Sequence, residues 1–153
     1  MRIASPRLLT IEAMALLPLA RVLVNRVQMK HWRGTLGEIE GATISSAASP
    51  TDQQTAAWRD AARLGRHVER AAEKLPVETK CLPRAIALQW MLRRRAIASR
   101  LIVARSHEKG NRDEWHAWVE HGEEIVIGHC DRDDYRAMLI FTSRPARPAD
   151  PTD

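Results

Sequence analysis

The stretch CLPRAIALQWMLRRRAIASRLIVA, residues 81–104, decides the fold because its period changes halfway along. Leu82, Ala85, Ile86, Ala87, Leu88, Trp90, Met91 and Leu92 leave hardly any polar face before Arg93, which is the pattern of a helix buried on all sides. Ser99–Ala104 is short and β-branched, so the same stretch ends in a strand. Further on, Trp115–Glu120 alternates, Gly122 turns the chain, and Glu124–Ile127 runs apolar again, which reads as a hairpin. A buried helix feeding a small antiparallel sheet predicts an α+β fold.

Chemistry gathers where those two patterns meet. Cys81 opens the buried helix, and Pro83 lies in its first turn, where an absent N–H removes no helical bond. Unpaired amides, the positive end of the helix dipole and neighbouring Lys80 all favour thiolate over thiol. Cys81 therefore reads as a nucleophile, with a small apolar gap-filler as the bland alternative. His116, flanked by Trp115 and Trp118 after the polar loop HEKGNRDE, is the candidate base, although a lone strand histidine is also a common structural residue. A third group usually orients such an imidazole, and His129, Asp131, Asp133 and Asp134 are the candidates after the hairpin.

Working outward, LLTIEAMALLPLARVLVNRV at 8–27 is apolar but broken by Glu12, Pro18, Arg21, Asn25 and Arg26, short of the roughly 20 uninterrupted residues of a membrane span. It reads as a helix bent at Pro18, laying an apolar stripe on a core, a partner or a membrane surface. Arg21, Arg26, Lys30 and Arg33 supply the basic flank for surface docking. GTLGEIEGATISSAASP at 34–50 reads as a connecting loop. Ser49, Pro50 and Thr51 then start a helix from Asp52 through Glu73, stopped by Pro76, with Ala57, Trp58, Ala61, Leu64, Val68 and Ala71 recurring at threes and fours. The three-proline end TSRPARPADPTD predicts a disordered tail.

The chain has 153 residues, which is one domain, and 44% hydrophobic with 28% charged residues is a globular balance. Two cysteines cannot make a disulfide framework and no export signal opens the sequence, so a reducing cytoplasm is expected. Lys and Arg outnumber Asp and Glu by 24 to 19, a net charge of +5 that admits anionic partners without selecting one. Only 5% of residues are aromatic, too few for base-stacking platforms, so nucleic acid is not the expected partner. His129, Cys130 and Asp131, with His116 and His121 nearby, suggest zinc only weakly, since no paired CxxC or HExxH occurs. Cys130 reads as a spectator. Phosphate-cradling glycine loops and the G-x-S-x-G elbow are absent.

The run from Cys81 to Phe141, including HAWVEHGEEIVIGH at 116–129, resembles the transglutaminase-like cysteine peptidases of lasso-peptide biosynthesis, the B-type leader peptidases. The resemblance implies a transglutaminase-like (papain-like) core: N-terminal helices, a central helix bearing the cysteine and a small antiparallel sheet bearing the histidine. It makes Cys81 the nucleophile and His116 the base, with no cofactor and no metal. Such enzymes cut the leader from a ribosomally made precursor, and a separate ATP-dependent macrolactam cyclase then closes the freed core. Family members place an Asp directly after the second hairpin strand, where this chain has His129. Asp131, two residues on, is then the expected orienter, with His129 the alternative. No segment resembles a fused leader-recognition domain, so a separate small recognition protein is expected. The division that follows is 1–48 for the N-terminal apolar helix and loop, 49–141 for the peptidase core and 142–153 for the tail. Transfer of the acyl group to an amine, as transglutaminases do, and a non-catalytic basic binding module are the alternatives.

Overall fold

A computed structural model of the chain describes residues 5–40, 52–108 and 115–145. Most of the expected 34–50 loop, the helix-start signal at Ser49–Thr51, most of the HEKGNRDE loop and the end of the tail lie outside the described residues.

Three long helices lie on one side of a five-stranded antiparallel sheet, the second and third in chain order against it and the first packed across those two. Helix α1 spans Pro6–Arg26, with its first proline where a missing N–H is harmless. Leu9, Ala13, Leu17 and Ala20, spaced by one turn each, form its buried face, while Leu8, Ile11, Leu19 and Val22 point outward. Pro18 stands on the exposed side within the helix. By length and hydropathy α1 meets the minimum for crossing a membrane, a test that core helices also pass. Its first half is tied to the rest of the fold by Glu12, whose carboxylate accepts from Arg95 at 2.6 and 3.1 Å.

A short helix α2 (Met29–Trp32) and a 3-10 turn (Arg33–Thr35) lead to β1 (Glu38–Ile39). Helix α3 (Asp52–Lys74) buries Ala61, Leu64, Val68 and Ala71, the expected three-four spacing. Helix α4 (Cys81–Arg93) buries eight of its residues, as its lack of a polar face requires. Among them is Gln89, fully buried. Its Nε2 donates to the carbonyls of Leu36 (2.9 Å) and Phe141 (3.3 Å), and its Oε1 accepts from Ser99 Oγ (2.9 Å). One side chain thereby fastens α4 to two strands and the 3-10 segment.

The remaining strands are β2 (Ser99–Ser106), β3 (Trp115–His121), β4 (Glu124–Ile127) and β5 (Tyr135–Ser143), in the order β1-β5-β2-β3-β4. The helix-facing side holds the main core, including Ala85, Ile86, Leu88, Leu101, Val103, Ala117, Val119 and Phe141. Each large aliphatic side chain taken fully from water there contributes about 1.5–3 kcal/mol. The opposite side carries a second, smaller cluster of Ile102, Ala104 and Trp118, against which Ile125, Cys130, Tyr135 and Ile140 pack.

Four expectations change. The pattern of residues 135–143 announces no element, yet they form β5, which pairs with β2 along nearly the whole strand and lies inside the sheet. The tail expected from residue 142 does not begin there, because Thr142 and Ser143 complete β5 opposite Glu38 and Ser99. The expected 34–50 loop contains β1, which can exist only because β5 offers it an edge. Nor is α1 a region apart, since its inner face belongs to the same core as α3 and α4.

Candidate active site

Helix α4 begins at the point where β3 runs beyond β4, whose pairing reaches only Val119. Cys81, half-buried, sits at that junction, and its sulfur shares a hydrogen bond with the imidazole of His116. The backbone amides of Ala117 and Leu82 point at the same sulfur. Burial alone would raise the Cys81 pKa. The hydrogen bond from His116, the Ala117 amide, the charge of His116 and the Leu82 amide outweigh it and hold the thiol below its ordinary value.

The far nitrogen of the ring, His116 Nε2, lies 2.9 Å from the carbonyl oxygen of Gly128. A carbonyl only accepts, so Nε2 donates there and Nδ1 is the nitrogen left for the sulfur. The ring is also walled by aromatics, with Tyr135 at 5.3 Å and Trp118 at 6.0 Å between centroids.

The expected orienters are therefore placed elsewhere. Asp131 is exposed, and its Oδ1 accepts from the Asp133 amide at 3.1 Å, capping the 3-10 turn Arg132–Asp134. His129 is exposed, as are Asp133 and Asp134. The physical reason lies at Gly128, whose φ of +79° turns its carbonyl inward and the next side chain outward. A Cβ there would stand 2.6 Å from the Ala117 oxygen and 3.0 Å from Trp118 Cβ, so only glycine lets the chain approach so closely.

Behind the imidazole, Glu120 is 4% exposed and fully engaged. Its Oε1 accepts from Trp118 Nε1 and Arg132 Nε, both at 2.8 Å, and its Oε2 accepts from Arg100 at 2.9 Å. Gly128, Glu120 and Tyr135 are site residues that the sequence reading missed. His116, Trp118 and Glu120 alternate along β3, so their common face was readable from spacing. The glycine ending an apolar strand was a signal for a close backbone approach.

Cys130 lies on the far face of the sheet, in the smaller cluster. Burial, with the carboxylates of Glu120, Asp131 and Asp134, raises its thiol pKa against the opposing charge of Arg132. Among the described residues no group of three or more His, Cys, Asp or Glu side chains is arranged to hold a metal ion. His121 instead bonds through Nδ1 with the Ala98 carbonyl, at 2.6 Å.

A helix-mouth thiol hydrogen-bonded to a strand histidine, on an α+β core, is an arrangement suited to cysteine chemistry. The chain matches the family model of the Transglutaminase-like superfamily over residues 23–140 and belongs to that superfamily. Cysteine peptidase or acyltransferase activity is what membership suggests. Neither the curated proteins nor the solved structures yield a match.

Proposed function

We propose that this chain is a cysteine peptidase that removes the leader from a ribosomally made lasso-peptide precursor, with Cys81 as nucleophile and His116 as general base and acid. The observation that carries the peptidase reading is the hydrogen bond between the helix-mouth thiol and an imidazole whose other nitrogen is anchored. The narrower assignment to lasso-peptide maturation is supported by the resemblance of 81–141, with HAWVE at 116–120.

In this reading the thiolate of Cys81 attacks the scissile carbonyl carbon, and amides of the first turn of α4 receive the oxyanion. The carbon–nitrogen bond breaks as His116 gives its proton to the departing amine, leaving a thioester. Water, losing a proton to His116, then attacks the thioester and frees the leader carboxylate and the thiol. The Gly128 carbonyl acts as orienter in place of Asp131 or His129. A neutral acceptor steadies the imidazolium less than a carboxylate would, so the pair is a dyad with a dipolar support.

The precursor reaches the enzyme through a separate small recognition protein in a reducing cytoplasm, and a macrolactam cyclase consumes the product. The outward apolar face of α1, with Leu8, Ile11, Leu19 and Val22, is a surface suited to that partner. Cys81→Ala, checked for folding by circular dichroism, should abolish leader removal from a co-expressed precursor. Persistent cleavage would refute the assignment. Superfamily membership keeps amine transfer as a second reading, and product mass separates a free carboxylate from an amide-linked adduct.

A further inference from the structure

We infer that Glu120 is a positioning residue for the active site, holding the imidazole of His116 through Trp118 on one side and through the Arg132-bearing loop on the other. The inference rests on the reading that Cys81 and His116 form the reactive pair.

A single carboxylate oxygen reaches both supports of the ring. Oε1 of Glu120 accepts from the indole of Trp118, one aromatic wall of His116, at 2.8 Å. The same atom accepts from Arg132 Nε at 2.8 Å. Arg132 starts the 3-10 turn between Gly128, which supplies the carbonyl on Nε2, and Tyr135, which supplies the other wall. Its guanidinium also donates to the Glu123 carbonyl at 2.5 Å, so one guanidinium pins the loop both to β3 and to the β3–β4 turn. Oε2 is occupied by Arg100 on the neighbouring strand, which stops the carboxylate from rotating away.

Stability alone does not account for this arrangement. A buried ion pair returns little beyond its desolvation cost, and apolar residues of similar volume commonly serve as well. What apolar residues would not supply is direction. Glu120 sets the angle of the Trp118 indole and the seat of the Gly128–Tyr135 loop together, and the ring of His116 is confined between them. The loop's carboxylates, Asp131, Asp133 and Asp134, are all exposed.

The test needs no substrate. With Cys130→Ser as the parent, the rate of Cys81 alkylation by iodoacetamide is followed from pH 5 to pH 10. Arg132→Ala removes the latch at a half-exposed side chain, and Glu120→Gln keeps the shape of the buried group while removing its charge. Both variants should lose about tenfold in rate near pH 6, the equivalent of one pKa unit, while matching the parent near pH 10, where any accessible thiol is ionised. A fall in melting temperature with an unchanged rate profile in Arg132→Ala would mean that the cluster is merely structural and would overturn the inference. Should Glu120→Gln fail to fold, Arg132→Ala alone decides it. A parent that already alkylates like an ordinary thiol would instead overturn the reactive-pair reading, a failure distinct from that of the latch.

Discussion

Replacing Gly128 by alanine separates backbone strain from steric exclusion at the point where the imidazole is held. Gly122 is the internal control. Both glycines have positive φ, +61° at Gly122 and +79° at Gly128, but a Cβ at Gly122 would meet nothing within 4 Å. Gly122→Ala should therefore cost only the left-handed penalty of about 1–2 kcal/mol. Gly128→Ala adds a methyl 2.6 Å from a backbone oxygen in the middle of a sheet, which cannot swing aside as a side chain would. Overpacking of that kind costs about 1–3 kcal/mol more, for a total of about 2–5 kcal/mol. At roughly 2–4 °C per kcal/mol for a domain of this size, the melting temperature should fall by roughly 4–20 °C in Gly128→Ala, well beyond the control. Relief of the clash requires the 128 carbonyl to move from His116 Nε2, so the low-pH alkylation of Cys81 should weaken in Gly128→Ala and persist in Gly122→Ala. Equal melting temperatures in the two variants, or an unaltered alkylation profile in Gly128→Ala, would refute the assignment of Gly128 as the anchor of the ring.

Gln89→Leu should destabilise the protein by about 1–3 kcal/mol or more, because the carbonyls of Leu36 and Phe141 and the hydroxyl of Ser99 lose a buried partner at once; urea denaturation gives the value, and an unchanged midpoint would count against the fastening role. His67 on α3 is 6% exposed and lies 2.9 Å from Thr10 Oγ1 of α1. Burial, then the charges of Arg70, Arg63 and Arg66, lower its pKa, so the folded state binds fewer protons than the unfolded chain. Its contribution to stability is whole above about pH 6.5, the unfolded value, and drains away as pH falls below it. Denaturation at pH 7.5 and 5.5 should show a larger loss for the natural chain than for His67→Gln, and equal losses would place the dependence on another group.

Local pattern carried the sequence reading a long way where neighbours in the chain are neighbours in space. The apolar run after Cys81 has one outcome, a buried helix, and the thiol at its mouth follows from the position of Cys81 just before Leu82 and Pro83. The alternation of Trp115–Glu120 and the turn at Gly122 gave β3 and β4 for the same reason. β5 escaped because its run from Met138 to Phe141 does not alternate cleanly. A register shift opposite Val103 and Ala104 breaks the period, and its partners lie in β2, far away along the chain.

The support of His116 was beyond sequence for a sharper reason. Side-chain chemistry points to Asp131, the carboxylate nearest after the hairpin, but the acceptor is a main-chain carbonyl, a group that every residue possesses and no residue letter announces. Which carbonyl arrives is settled by the left-handed backbone at Gly128 and by the close approach of that backbone to Ala117 and Trp118. Sequence alone determined the helix that begins at Cys81 and the strand that carries His116. Tertiary packing decided what steadies the imidazole, because that depends on the direction of one peptide group and on how tightly two strands can close around it.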